Sequence, residues 1–113
     1  PPLAITIFFG WPGGFWSPAT LKELLHRIEH PPSGCRFSVS AAGLTQTALE
    51  TVSIIQGGHV RVGTEDEPYY SEGVLAEDNA QLVARIGRIS RELGREIATV
   101  DEARTLLGLP SVG

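Results

Sequence analysis

An alternation of short apolar runs with stretches of helical periodicity, repeated three times through mostly short connections, constrains this chain more than any other feature. Leu3-Ala4-Ile5-Thr6-Ile7-Phe8-Phe9 is nearly continuous in apolar, β-branched and aromatic residues, the pattern of a strand covered on both faces. It ends at Gly10. After Trp11-Pro12-Gly13-Gly14-Phe15-Trp16, the pair Ser17-Pro18 offers an N-cap followed by proline at a first helical position. Leu21, Leu24, Leu25 and Ile28 then make one apolar stripe that Pro31-Pro32 closes. Arg36 to Ala41 reads as a second strand. Thr47 and Glu50 stand at capping-box spacing ahead of Leu49, Val52 and Ile55, and Gly57-Gly58 stops this helix. His59-Val60-Arg61-Val62-Gly63 is a third strand. A helix from about Asn79 to Leu93 follows, with Leu82, Val83, Ile86, Ile89 and Leu93 on one face and Gly94 as its stop. A last short helix begins at Thr99, with Glu102 completing a capping box.

This is the grammar of an α/β fold: a parallel sheet with right-handed helical crossovers. Three parallel strands cannot close a barrel, and parallel edges are rarely left bare. The sequence therefore predicts that further strands come from the rest of its own polypeptide or from another chain. The Pro1-Pro2 start and the absence of any Met favour the edge of a longer polypeptide over a processed terminus. With 113 residues, 42% of them hydrophobic and 19% charged, the whole of 1–113 reads as part of one globular domain. Net charge is only −4, and eight Arg with the single Lys22 are scattered, so no basic stripe favours nucleic acid. The longest apolar run falls far short of the ~20 residues a membrane-spanning helix needs. Cys35 stands alone and cannot form an internal disulfide, which suits a reducing cytoplasm. Beside a strand it reads as packing.

One connection breaks the economy of the pattern. About fifteen residues, Thr64 to Asp78, separate the third strand from its helix, and long loops in compact domains tend to be functional. This loop leaves the C-terminal end of a parallel strand, where α/β barrels and open sheets both place active sites. It opens with Glu65-Asp66. Alternation puts Arg61, Gly63 and, if the strand continues, Glu65 on one face, with Val60 and Val62 on the other. The valines suit a helix-covered exterior, which leaves a cation and a carboxylate pointing inward. They need a partner, a hydrogen bond or a metal. A salt-bridge cluster that merely holds a loop fits the spacing equally well. His59 shares the Arg61 face at the strand's start and reads as structural, and His26 and His30 as solvated or capping residues. Gly13-Gly14 and Gly57-Gly58 match no phosphate-binding pattern and read as turns or stops. Trp11, Phe15 and Trp16 read as packing at the sheet's rim.

The run Gly57-Gly58-His59-Val60-Arg61-Val62-Gly63-Thr64-Glu65-Asp66, then Tyr69-Tyr70, Gly73-Val74-Leu75-Ala76 and Asn79-Ala80-Gln81-Leu82-Val83, closely resembles the signature of the β-keto acid cleavage enzyme family. The tail Gly94 to Thr99 with Glu102-Ala103-Arg104 and Leu107-Gly108-Leu109 is similar to the end of that family. The likeness extends more loosely upstream to cover essentially the whole chain. It implies the C-terminal three βα units of a (β/α)8 TIM barrel, holding a divalent metal, normally zinc, through two histidines and one glutamate. On this sequence the resemblance makes Glu65 the glutamate ligand, Asp66 the catalytic base and Arg61 the cation that stabilises developing anions. It implies a β-keto acid and acetyl-CoA as substrates, giving acetoacetate and a new acyl-CoA, in an oligomeric enzyme. A catalytically silent partner that completes a barrel or an oligomer interface is the alternative. The departures are the absence of a His-x-His pair, so both histidine ligands are expected outside this chain, Thr64 where the family often has leucine, and Leu44-Thr45 in place of a more polar stretch.

Overall fold

The computed structural model describes residues 3–13 and 16–113; Pro1-Pro2, Gly14 and Phe15, which carried expectations above, lie outside the described residues. The chain runs β1 (Ala4–Phe9), α1 (Leu21–Ile28), β2 (Arg36–Ala41), α2 (Gln46–Ile55), β3 (His59–Val60), β4 (Tyr69–Ser71), β5 (Val74–Leu75), α3 (Asn79–Glu92) and α4 (Val100–Leu106). β1, β2 and β3 form one parallel sheet in that order, so strands consecutive in sequence are neighbours in space. This is the mixed α/β, parallel architecture expected from the alternation.

The sheet has two unlike faces. Phe9, Val39 and Ala41 are fully buried with Leu24 of α1 and Leu49 of α2, and Ile7, Leu25, Ile28, Phe37 and Val52 pack around them. On the opposite face the register sets Thr6, Ser38 and His59 in one row and Phe8 beside Ser40 in the next. Arg61 donates its N–H to the Val39 carbonyl at 3.0 Å, carrying the ladder one bond past β3, and alternation brings its side chain level with Ser40. The first strand is thus apolar toward its helices and mixed on its other side, rather than covered by apolar neighbours on both.

Helix starts differ from their predicted positions for local reasons. Ser17 does not cap α1: it forms a parallel bridge with Phe9 and its carbonyl accepts Gly10 N–H at 2.8 Å, which holds it extended. Thr20 takes over, accepting from Glu23 N–H. Thr47 and Glu50 form no capping box because α2 already begins at Gln46, with Thr45 as an N-cap whose hydroxyl donates to the Ala19 carbonyl at 3.4 Å instead of capping the helix. Ends were easier to read. At Gly57, Gly94 and Gly108 a positive φ lets the chain return two N–H groups onto the last turn, the Schellman arrangement. Gly58 serves a different purpose: a Cβ there would stand 2.6 Å from both Phe37 Cζ and Ser53 Oγ, so only glycine lets α2 hand over to β3 under that ring. Arg95 completes the junction by donating to the carbonyls of Ile54, Gly57 and Gly58. α4 carries the expected capping box between Thr99 and Glu102. Its Leu106 carbonyl accepts from Arg36 Nε at 2.8 Å, tying the C-terminal helix to the start of β2.

Candidate active site

The chain turns sharply as it leaves the third strand. Asp66 N–H and Glu67 N–H both reach the Gly63 carbonyl at 3.1 Å, so the three successive acids point in different directions. Asp66 turns in: its side chain is only 1% exposed, and the Arg61 guanidinium grips it as a fork, Nε to Oδ2 at 2.9 Å and Nη2 to Oδ1 at 3.1 Å. Ser40 Oγ adds a third donor to Oδ2 at 3.0 Å. Glu65 turns out, with its side chain 85% exposed and Oε2 at 3.9 Å from Arg61 Nη2. Arg61 itself lies over the Phe8 ring, 5.1 Å from the centroid. The sheet thus brings Arg61, Glu65 and Asp66 together at the C-terminal end of β3, but buries one carboxylate and leaves the other facing solvent. That asymmetry follows from the tight turn rather than from strand alternation, since β3 has ended by Val60.

Glu67, not singled out from the sequence, is the third arm. It is buried; its Oε2 accepts Gly43 N–H and its Oε1 accepts Tyr69 N–H at 3.2 Å, joining the loop after β2 to the loop after β3. The fifteen-residue connection is therefore not irregular throughout: Tyr69–Ser71 and Val74–Leu75 pair as an antiparallel hairpin. Thr64 N–H is held by Asn79 Oδ1 at 2.8 Å, so the start of α3 steadies the turn. A cleft of about 360 Å³ opens beside it, with Gly43, Gln46, Glu67, Tyr70 and Arg85 in its wall. Arg85 donates to the Tyr70 carbonyl and stacks on the Tyr70 ring at 4.1 Å.

Behind Asp66, Glu50 of α2 is buried, and its Oε1 has no hydrogen-bond partner among the described residues. Burial pushes its carboxyl up to about 8; nearby Arg85 pulls the other way and Asp66 adds to the rise. His59, at the start of the third strand, is held below its ordinary value by burial and then by Arg95 and Arg36. His30 Nδ1 lies 2.8 Å from the His26 carbonyl, a capping contact. Trp11 and Trp16 pack edge-on against Phe8. Among the described residues no three His, Cys, Asp or Glu side chains gather closely enough to hold a metal. Glu65, solvent-facing and meeting only a distant guanidinium edge among the described residues, could provide one ligand and no more. No helix of the described residues is long and apolar enough to cross a membrane.

Ser40 and Glu67 had faint signals. Ser38 and Ser40 alternate with Phe37, Val39 and Ala41, marking an inner polar face, and Glu67 continues the acidic run.

The family described as beta-keto acid cleavage enzyme matches residues 1–109. A 3-keto-5-aminohexanoate cleavage enzyme of Fusobacterium nucleatum is 45% identical over 91 residues, which is 80% of this chain and 34% of that protein. Its counterpart in Acetoanaerobium sticklandii is 42% identical over 108 residues, 96% of this chain and 39% of that protein. A 3-oxoadipate:acetyl-CoA acetyltransferase of Cupriavidus necator is 35% identical over 92 residues, 81% of this chain and 32% of that protein. The chain spans about a third of the length of these relatives. On the match over residues 1–109, the chain belongs to the beta-keto acid cleavage enzyme family.

Proposed function

We propose that this segment supplies the base, the anion-stabilising cation and one metal ligand of a zinc-dependent (β/α)8-barrel enzyme, which transfers an acyl group between a β-keto acid and acetyl-CoA. The observation that carries this reading is the convergence of Arg61, Glu65 and Asp66 at the C-terminal end of a parallel strand, with Asp66 buried in a fixed pose and Glu65 left free. The names of relatives that act on keto acids with acetyl-CoA support the substrate class.

Asp66 takes a proton from the carbon between the keto and carboxyl groups. The C–H bond breaks, an O–H bond forms, and the electron pair moves onto the keto oxygen as an enolate. Arg61 lies within reach of both acids and balances the anionic charge. Glu65 holds the metal, with two histidines from outside this chain, and the metal when bound polarises the keto oxygen. The enolate carbon attacks the acetyl thioester and releases the CoA thiolate. The thiolate then adds to the original keto carbon, and carbon–carbon cleavage yields the new acyl-CoA and, once Asp66 returns its proton, acetoacetate.

Two substitutions separate the roles. In a complete enzyme containing this segment, Asp66→Asn should lower turnover by roughly 10²–10⁴-fold with zinc content unchanged, whereas Glu65→Gln should lose zinc, an amide being a poorer ligand than a carboxylate. Metal analysis and deuterium uptake from solvent at the α-carbon of 3-oxoadipate provide the two readouts. Wild-type deuterium uptake in Asp66→Asn would remove Asp66 as base; equal loss of stability in both variants with unchanged zinc would leave only a loop-holding salt bridge.

A further inference from the structure

The three hydrogen bonds on Asp66 are not equivalent. Oδ2 accepts from Ser40 Oγ at 3.0 Å and from Arg61 Nε at 2.9 Å, which fills both of its lone-pair directions. Oδ1 accepts only from Arg61 Nη2 at 3.1 Å and keeps one direction open. The donors differ in freedom as well. Arg61 is long, its side chain is 46% exposed, and beyond the two acids it lies over the Phe8 ring. Ser40 is 0% exposed on β2, the central strand, hydrogen-bonded to strands on both sides. Its hydroxyl has one heavy-atom torsion and no room to leave. The fork on Asp66 uses Arg61 Nε–H and one Nη2–H and leaves three N–H groups for a substrate anion, so a bound anion competes with Asp66 for the orientation of the whole guanidinium. When it turns, two of the three bonds on Asp66 go with it.

We propose that Ser40 is the positioning residue for proton transfer: its hydroxyl holds Asp66 Oδ2 in place while Arg61 moves from Asp66 to the substrate, and Oδ1 is the oxygen that receives the proton. The inference rests on the reading of Asp66 as base. It assigns the central strand a part in the chemistry, since Ser40 reaches Asp66 only because the parallel register sets β2 between Phe8 and Arg61.

The test uses deuterium uptake at the α-carbon of 3-oxoadipate by the zinc-loaded complete enzyme containing this segment, measured above the uncatalysed background, with melting temperature recorded for each variant. Ser40→Ala should slow saturated exchange roughly 10–100-fold, the effect of one hydrogen bond to a charged group, and change the half-saturating substrate concentration by less than about twofold. Ser40→Cys, nearly isosteric but a weak donor, should behave as Ser40→Ala does, and Ser40→Thr, which keeps the hydroxyl, should retain exchange within about threefold. Wild-type exchange in Ser40→Ala or Ser40→Cys, with Asp66→Asn inactive, would overturn the role of Ser40 alone. Equal losses in all three Ser40 variants, tracking their melting temperatures, would overturn it too by making Ser40 a packing residue. Wild-type exchange in Asp66→Asn would instead overturn the underlying assignment of the base.

Discussion

Glu50 carries the clearest residue-level consequence for stability. Between the ordinary carboxyl value of 4.5 and about 8, the unfolded chain has released this proton while the folded chain keeps it. Its contribution therefore falls as pH rises through that window and levels off above it. Glu50→Gln removes the titration at nearly constant shape, so its denaturation midpoint should lose that part of the pH slope. At pH 8 it should exceed the wild type by at least ~1 kcal/mol. Parallel slopes for the two proteins from pH 5 to 8 would show that Glu50 ionises freely in the fold. At this scale the sequence revealed Arg61 and the acidic pair because charges at the end of an apolar strand are conspicuous. Ser40 gives only a faint signal and Glu50 reads as a capping residue, because a serine in a strand and a glutamate in a helix are ordinary. Their importance comes from register and depth, which one-dimensional spacing does not contain.

At the scale of elements, stops proved more legible than starts. A glycine after an apolar stripe has one conformational reason to be there, and Gly57 and Gly94 both took it. N-caps are chosen among several hydroxyl-bearing residues by what the preceding loop is doing, and the bridge between Ser17 and Phe9 decided against Ser17. The connection after β3 reads as one long functional loop, without its hairpin, because β4 and β5 are only three and two residues long. The junction at Gly58 yields a sharp expectation. Gly58→Ala should destabilise the fold by about 1–3 kcal/mol through overlap with Phe37 and Ser53. Trimming the ring should relieve part of this, so the Gly58→Ala and Phe37→Leu changes combined should cost less than their sum. Strict additivity in a denaturant-unfolding cycle would mean that the two residues do not meet.

For the whole molecule, β1 and β3 are the outer strands of the parallel sheet, and beyond the single Phe9–Ser17 bridge neither pairs further among the described residues. Next to β3 a groove of about 770 Å³ runs between Val60, Val83, Ile86, Ile97 and Leu106. Exposed backbone beside an apolar groove invites another strand. The 113-residue chain alone should therefore associate at micromolar concentration and bind zinc weakly. Adding a polypeptide that carries two closely spaced histidines should raise both zinc content and keto-acid turnover. Sedimentation showing a cooperatively unfolding monomer would count against a barrel completed from elsewhere. The parallel order of the strands was legible from the alternation alone; what completes the sheet was not, because a sequence marks its own strands and not the neighbours they lack.

Glu67 pins the two rim loops together before the hairpin begins. The tip around Glu72 and Gly73 projects beyond that pin and is exposed. Insertions or exchanges there leave the turn at Gly63 to Glu67 standing, so this protein has an adaptable lip mechanically insulated from its acids.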